Sequence, residues 1–271
     1  MGGVYLTWLA DELRAAGCTV VEYDSQWKTR GRSSGGFNTN PLGISWHHTA
    51  GAAGASAKSE CDYMVHSSDN RPTCNIYIAR DGAVWVLAAG ATNTSGKGGP
   101  LTLSRGTVAA DCANTTTVGM EIGNNGVGET YPQPQIDAAF RASNCINRRL
   151  GNQPADVFSH NLWAPTRKID PATAAAVQGP WRPRSTTSSG TWSTDDIRAE
   201  CNARATSPPP EDDVTDDDIK RIADAVTAAV WSQLVSTPDK GAQAAQWVLG
   251  QTYGLAQRAV RASESANSKL S

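Results

Sequence analysis

The sequence predicts an α/β fold: a mixed central β-sheet flanked by helices, with a small α-helical tail after it. Three observations carry this. Short segments rich in β-branched residues are interleaved with segments whose apolar positions recur at helical spacing, the pattern of a sheet covered on both faces. Arg80-Asp81-Gly82, set between two such short segments, is a hairpin signal. Around Ser207-Pro208-Pro209-Pro210 the composition changes sharply, and a run of acids separates the sheet-forming part from the C-terminal residues.

Taken in order, Leu6, Leu9 and Leu13 lie at helical spacing and end at Gly17, a residue suited to closing a helix. Cys18–Tyr23 reads as a strand. Residues 28–42 are rich in Gly, Ser and Asn with only basic charges, and read as a loop. Gly43–His47 is a short strand and Ser56–His66 a helix. Asn75–Ala79 and Ala83–Ala88 are the arms of the hairpin, and Thr117–Ile122 is another strand. Gln135–Leu150 carries Ile136, Phe140, Ile146 and Leu150 and stops at Gly151, so it is a helix. Ser193-Thr194-Asp195-Asp196 opens a last helix, with acids in the first turn where the helix dipole favours them.

Six of the eight residues Glu211–Asp218 are acidic, a solvated linker whose like charges repel. The expected organisation is therefore a main domain over 1–205, a Pro-rich and acidic linker over 206–218, and a helical tail over 219–271. In the tail Ile219, Ile222, Val226 and Val230 give an apolar stripe, interrupted near Pro238–Gly241 and followed by Trp247, Val248, Leu255 and Val260. So short a stretch buries little by itself. It is expected to pack on itself, on a second copy as a homo-oligomer, or on a target.

A net charge of −2 leaves no basic footprint for nucleic acid. No apolar run reaches the length of a membrane span. The opening residues lack a basic region before Asp11-Glu12 and do not read as a secretory signal. The six cysteines contain no CxxC pair, which speaks against a structural zinc knuckle. Free buried thiols are expected, with Cys61 and Cys74, close in sequence, the first pair to test for a bridge.

Three pieces carry chemistry. Trp46-His47-His48-Thr49 ends a strand, so its two imidazoles face opposite sides and one of them can join a given site; a surface ring plus a packed ring fits the same pattern. In His160–Asp170 (HNLWAPTRKID), Pro165 prevents one continuous helix. Lys168 and Asp170, two apart, share a face if the segment is extended. The same spacing also fits an Asp–Lys salt bridge under a helix starting at Pro171-Ala172-Thr173. Glu121, flanked by Gly119 and Gly123 on its face of a strand, meets either solvent or a cleft where small neighbours leave room.

Together, two histidines, an aspartate, a glutamate and a lysine make a coherent hydrolase site. A Zn²⁺ ion with three protein ligands keeps a position open for water and lowers that water's pKa to about 7. A carboxylate then takes the proton, and an ammonium stabilises the oxyanion.

The ordered set of motifs resembles the type 2 N-acetylmuramoyl-L-alanine amidases, the superfamily shared with peptidoglycan-recognition proteins, cytosolic muropeptide amidases and many phage endolysins. The resemblance runs from about Leu13 to Cys201, and the opening (WLADELRAAG, then WKTRGRSSGGF and WHHTA) looks most like endolysins of phages infecting actinobacteria. It implies that His47, the leading His of an H-[HC]-[ST]-A motif, is the first zinc ligand. It implies that His160 and Asp170, ten apart, are the other two, that Lys168 is catalytic, and that Glu121 on a G-[IM]-E-[IL] strand is the catalytic base. The implied partner is bacterial peptidoglycan, cut between N-acetylmuramic acid and L-alanine to lyse a host from whose cytoplasm the enzyme is released. The tail is then an oligomerisation or cell-wall-targeting element. A non-catalytic peptidoglycan-binding module and an intracellular muropeptide-recycling amidase are the alternatives.

The chain departs from the family pattern in places. Cys74 stands where some relatives have a catalytic Tyr, and Asn75 where many have a His. Within Ala91–Gly99, a substrate-side loop that often holds a His, Asn93 or Thr94 must serve. His48 is read as structural, His66 as solvated, and Trp85 and Trp163 as packing residues or sugar-stacking platforms. The basic loop 28–32 is an exposed loop or a contact for anionic wall polymer.

Overall fold

The computed structural model describes residues 3–67 and 69–206. Helix α1 (Leu9–Ala15) leads into β1 (Val20–Glu22) and β2 (Ile44–His48). After α2 (Ala57–Asp62) and a π-helical turn (Tyr63–Ser67) come β3 (Ile76–Ile78) and β4 (Val84–Val86). A separate hairpin of β5 (Leu101–Leu103) and β6 (Gly106–Val108) precedes α3 (Ala113–Thr116) and β7 (Val118–Ile122). The long helix α4 (Gln133–Leu150) is followed by β8 (Val157–Ser159), α5 (His160–Trp163) and α6 (Thr194–Thr206).

The main sheet runs β1-β4-β3-β7-β2-β8. Only β3 and β4, the arms of the expected hairpin, pair antiparallel; every other neighbouring pair is parallel. The sheet is therefore mixed, with helices packed on it, as the sequence predicts.

Strand alternation assigns the two faces. Ile44, Trp46, Ile76, Ile78, Val118, Met120 and Ile122 join the large core beneath α1, α4 and α6. Trp46 packs at a tilt against Phe140 of α4 with ring centroids 5.0 Å apart, and its Nε1 donates to Ser143 Oγ at 3.0 Å. Gly151 closes α4 in the left-handed conformation (φ 74°), which costs glycine nothing and a side chain about 1 kcal/mol or more. The opposite face carries two smaller clusters, one around Cys61, Met64, Cys74 and Tyr77, the other around Leu103, Val108, Phe158 and Trp163.

Some elements differ from expectation. The helix expected over Ser56–His66 ends as an α-helix at Asp62 and continues as a π-helical turn. β5, β6 and β8, each three residues long, are not among the strands expected from the sequence. No helix starts at Pro171; residues 171–193 are irregular, tied by bridges such as Ala172 to Thr191 and Ser185 to Trp192. All six cysteines are free, so Cys61 and Cys74 form no bridge. Among the described residues no helix is long and apolar enough to cross a membrane. The chain separates into units at Met1–Pro208 and Pro209–Ser271. The helical tail over 219–271, with the oligomerisation expected of it, lies outside the described residues, as does the linker beyond Thr206.

Candidate metal centre

The site forms off the carboxyl ends of three adjacent parallel strands, β7, β2 and β8, where an open α/β sheet leaves a crevice. The register places Tyr77 of β3, Glu121 of β7 and His47 of β2 in one row across the sheet. Residues paired in a parallel register point to the same face, so Glu121 and His47 look into one cleft of about 430 Å³. His48 faces the other way along β2 but sits at its last position, where the strand runs out. Its Nδ1 accepts the Ala172 N–H at 3.1 Å, and burial lowers its pKa, in keeping with a structural part.

His160 follows β8 directly, as the first residue of α5. Ser159 caps that helix, its Oγ accepting the Leu162 N–H at 3.0 Å. The chain then doubles back. Ala164 C=O accepts from the N–H groups of Arg167 and Lys168, and Asn161 returns to the loop, N–H to Asp170 C=O at 3.0 Å and Nδ2 to Lys168 C=O at 2.6 Å. This closed loop brings Asp170 beside His160 although ten residues separate them.

His47 Nδ1 lies 2.8 Å from His160 Nδ1 and 3.1 Å from Asp170 Oδ2, and His160 Nδ1 lies 2.9 Å from the same oxygen. All three residues are buried. One tautomer can be assigned from its partner. His160 Nε2 faces the Ser95 carbonyl at 2.8 Å, so it carries the proton and Nδ1 presents a lone pair. Burial pushes His47 down to about 4, helped by His160, so its ring is neutral at pH 7. Burial opposes ionisation of Asp170, yet the close His160 and His47 rings outweigh it and hold the carboxyl well below its usual range. The His160 Nδ1 lone pair, the His47 Nδ1 atom and the Asp170 carboxylate thus converge on one point, and a single proton cannot satisfy all three contacts. His47 Nε2, buried, has no partner among the described residues. Two nitrogens and one oxygen with a side toward the cleft are a donor set that fits Zn²⁺.

Residues 37–173, half the chain, match the N-acetylmuramoyl-L-alanine amidase family, and the match contains His47, Glu121, His160, Lys168 and Asp170. The chain belongs to that family. No curated protein matches the chain. Among solved structures it is similar to the endolysin N-acetylmuramoyl-L-alanine amidase LysCS from Clostridium intestinale URNW, at 17% identity and TM-score 0.39 over 68% of this chain and 95% of that one. It is also similar to AmpDh3 from Pseudomonas aeruginosa in complex with anhydromuramic pentapeptide, at 20% identity and TM-score 0.40 over 56% and 61%.

Glu121 of this amidase-family chain is 7% exposed, and its Oε2 has no hydrogen-bond partner among the described residues. Burial, then the charge of Asp170, raise its pKa well above the usual carboxylate range. The flanking glycines do not widen the cleft. A Cβ at Gly119 would collide with Thr94, and one at Gly123 with the Tyr77 hydroxyl, so the glycines let those side chains close over the strand. Solvent exposure of Glu121, the other reading of its strand position, is overturned.

Lys168 lines the cleft and forms no ion pair with Asp170. Its ammonium makes no hydrogen bond among the described residues, yet is close enough to lower the pKa of Glu121. Asn93 and Thr94 also line the cleft. Asn75 is buried and fully used: Nδ2 donates to Ala88 and Gly90 C=O, and Oδ1 accepts from Gly119 N–H and Thr92 Oγ1. Cys74 is buried against Met64. Neither Trp85 nor Trp163 lines the cleft; Trp163 is buried with Nε1 on Gly96 C=O, so sugar stacking on them is not supported. In the basic loop, Arg30 is committed to Asp24 and the Leu87 carbonyl.

Sequence reading missed the ionic group behind the site. Glu60 accepts from Thr49 Oγ1 at 2.7 Å, from Tyr77 OH at 2.5 Å and from Arg80 Nη1 at 2.7 Å. Arg80 also grips Glu129 through Nε at 2.6 Å and Nη2 at 3.1 Å. Thr49 directly follows the histidine pair and Glu129 ends the loop bearing Asn125–Val127 on the cleft, so this group braces two walls. The signal was present in part: Arg80 belongs to the hairpin turn, but its partners are distant in sequence.

Proposed function

We propose that the chain is a zinc-dependent N-acetylmuramoyl-L-alanine amidase of the endolysin kind, cutting peptidoglycan between the lactyl group of N-acetylmuramic acid and L-alanine. The observation that carries this reading is the convergence of His47 Nδ1, His160 Nδ1 and Asp170 Oδ2 within 2.8–3.1 Å on a cleft that also holds Glu121. Family membership supports the bond to be cut. The three residues would hold one zinc ion, which when bound supplies Lewis acidity toward water and the scissile carbonyl.

The chain's own residues do the rest. Glu121, a stronger base for being buried, takes a proton on its carboxylate as water attacks and returns it to the departing alanine nitrogen. The uncommitted Lys168 ammonium offsets the charge growing on the carbonyl oxygen. His160 is held in its ligating tautomer by the Ser95 carbonyl. Asn93, Asn125 and Thr94 offer donors and acceptors suited to a polyamide substrate.

A complete ligand set together with a buried carboxylate speaks for catalysis over binding alone. The test is release of stem peptide from purified intact sacculi by the full chain. Release that stops with a chelator and returns with zinc is the expected result. Binding without release would favour the recognition module, and activity confined to soluble muropeptides would favour the recycling amidase.

A further inference from the structure

Arg167 carries no part in the motif pattern, although it lies on the cleft wall one residue before Lys168. Its Nη2 donates to the Ser95 carbonyl at 3.1 Å and to the Lys97 carbonyl at 2.6 Å. The Ser95 carbonyl also accepts from His160 Nε2, at 2.8 Å. Ser95 is buried and pinned from other sides. Its N–H and that of Gly96 donate to Asn114 Oδ1 at 2.8 and 3.0 Å, its Oγ meets Ser45 Oγ at 3.1 Å, and Trp163 Nε1 holds the Gly96 carbonyl at 3.1 Å.

A carbonyl oxygen only accepts, so whichever imidazole nitrogen faces it must carry the proton. For His160 this leaves Nδ1, the atom facing His47 and Asp170, with its lone pair free. Were the Ser95 peptide plane to turn, that preference would go, and a proton on Nδ1 would block the atom. One guanidinium nitrogen spanning two carbonyls opposes such a turn, and its planar fork loses little freedom in doing so. We infer that Arg167 is a positioning residue: through the Ser95 carbonyl it fixes the His160 tautomer that leaves Nδ1 able to bind a metal ion. It also ties that ligand to the turn that carries Lys168.

The metal arm of this inference rests on the proposed zinc site; the tautomer arm does not. The experiment compares parent, Arg167→Gln and Arg167→Lys full-length chains. It reads the His160 ring nitrogens by ¹⁵N NMR in the metal-free state, and zinc affinity by competition with a chromogenic chelator. The parent is expected to show a single Nε2–H tautomer. Arg167→Gln should populate both tautomers and bind zinc about tenfold or more weakly, the usual effect of losing an outer partner of a ligand, with Arg167→Lys in between. Where Arg167→Gln fails to fold, Arg167→Met, of similar reach without the donors, takes its place. An unchanged tautomer together with unchanged zinc affinity overturns the inference. A parent chain that takes up no zinc contradicts the metal site instead, and the tautomer comparison then decides the part of Arg167 alone.

Discussion

His47 and Glu121 stand at the same level of neighbouring parallel strands and face one cleft. An imidazole kept neutral beside a carboxylate that resists ionisation is a costly arrangement for a fold and a useful one for proton transfer.

The cost is measurable. In the folded chain Glu121 holds its proton to a higher pH than the ordinary 4.5, so across that window the folded state binds a proton the unfolded state has released. Stability contributed here is present at low pH and falls as pH rises through the window. Glu121→Gln removes the penalty. The metal-free variant is expected to melt above the metal-free parent at about pH 8 and level with it at about pH 4, by calorimetry. The same variant should keep its zinc and lose about 10²–10⁴-fold in turnover. A fully active variant would contradict the base assignment.

Removing a ligand acts differently. His160→Ala and Asp170→Ala are expected to purify with almost no zinc, measured by atomic absorption against a parent near one ion per chain. A chelator should lower the melting temperature of the parent and leave these variants unmoved, because only an ion that binds the folded state stabilises it.

Arg80 joins two carboxylates, the buried Glu60 and the half-buried Glu129, and all three side chains are less than a fifth exposed. Arg80→Met leaves both acids without their counter-charge in a low-dielectric setting. The expected loss is about 3–5 kcal/mol in urea unfolding, since breaking a buried pair costs more than the pair contributes. A loss near zero would show that water reaches and solvates the acids.

Gly119→Ala should destabilise the chain by about 1–3 kcal/mol, because the added methyl meets Thr94 where the loop closes over β7. Thr94→Gly in the same chain should recover part of that loss, a coupling that unfolding measurements on the double variant would read.

Much of the site was legible in the sequence because it rests on residue type and order. His47, Glu121, His160, Lys168 and Asp170 meet in one cleft as the motif set implied. Strand alternation alone left Glu121 undecided between solvent and cleft, since two flanking glycines leave room without saying what fills it. The answer, Thr94 and Tyr77, comes from segments distant in sequence. The outer supports were illegible for the same reason. The Ser95 carbonyl is a backbone group that no residue type announces, and Glu60 and Glu129 are ordinary acids until the fold sets them against Arg80. In the fold, α4 was readable from its period and the β3–β4 hairpin from its Asp-Gly turn, whereas β5, β6 and β8, three-residue strands without an Asp-Gly turn beside them, were not.

Mass spectrometry of the products released from purified peptidoglycan tests the central claim most directly. Stem peptides with a free L-alanine amino terminus, alongside glycan strands retaining intact lactyl groups, are the predicted products, and both should vanish on chelation. New reducing sugar ends, or cuts within the peptide that leave the muramoyl–alanine bond whole, would contradict the assignment.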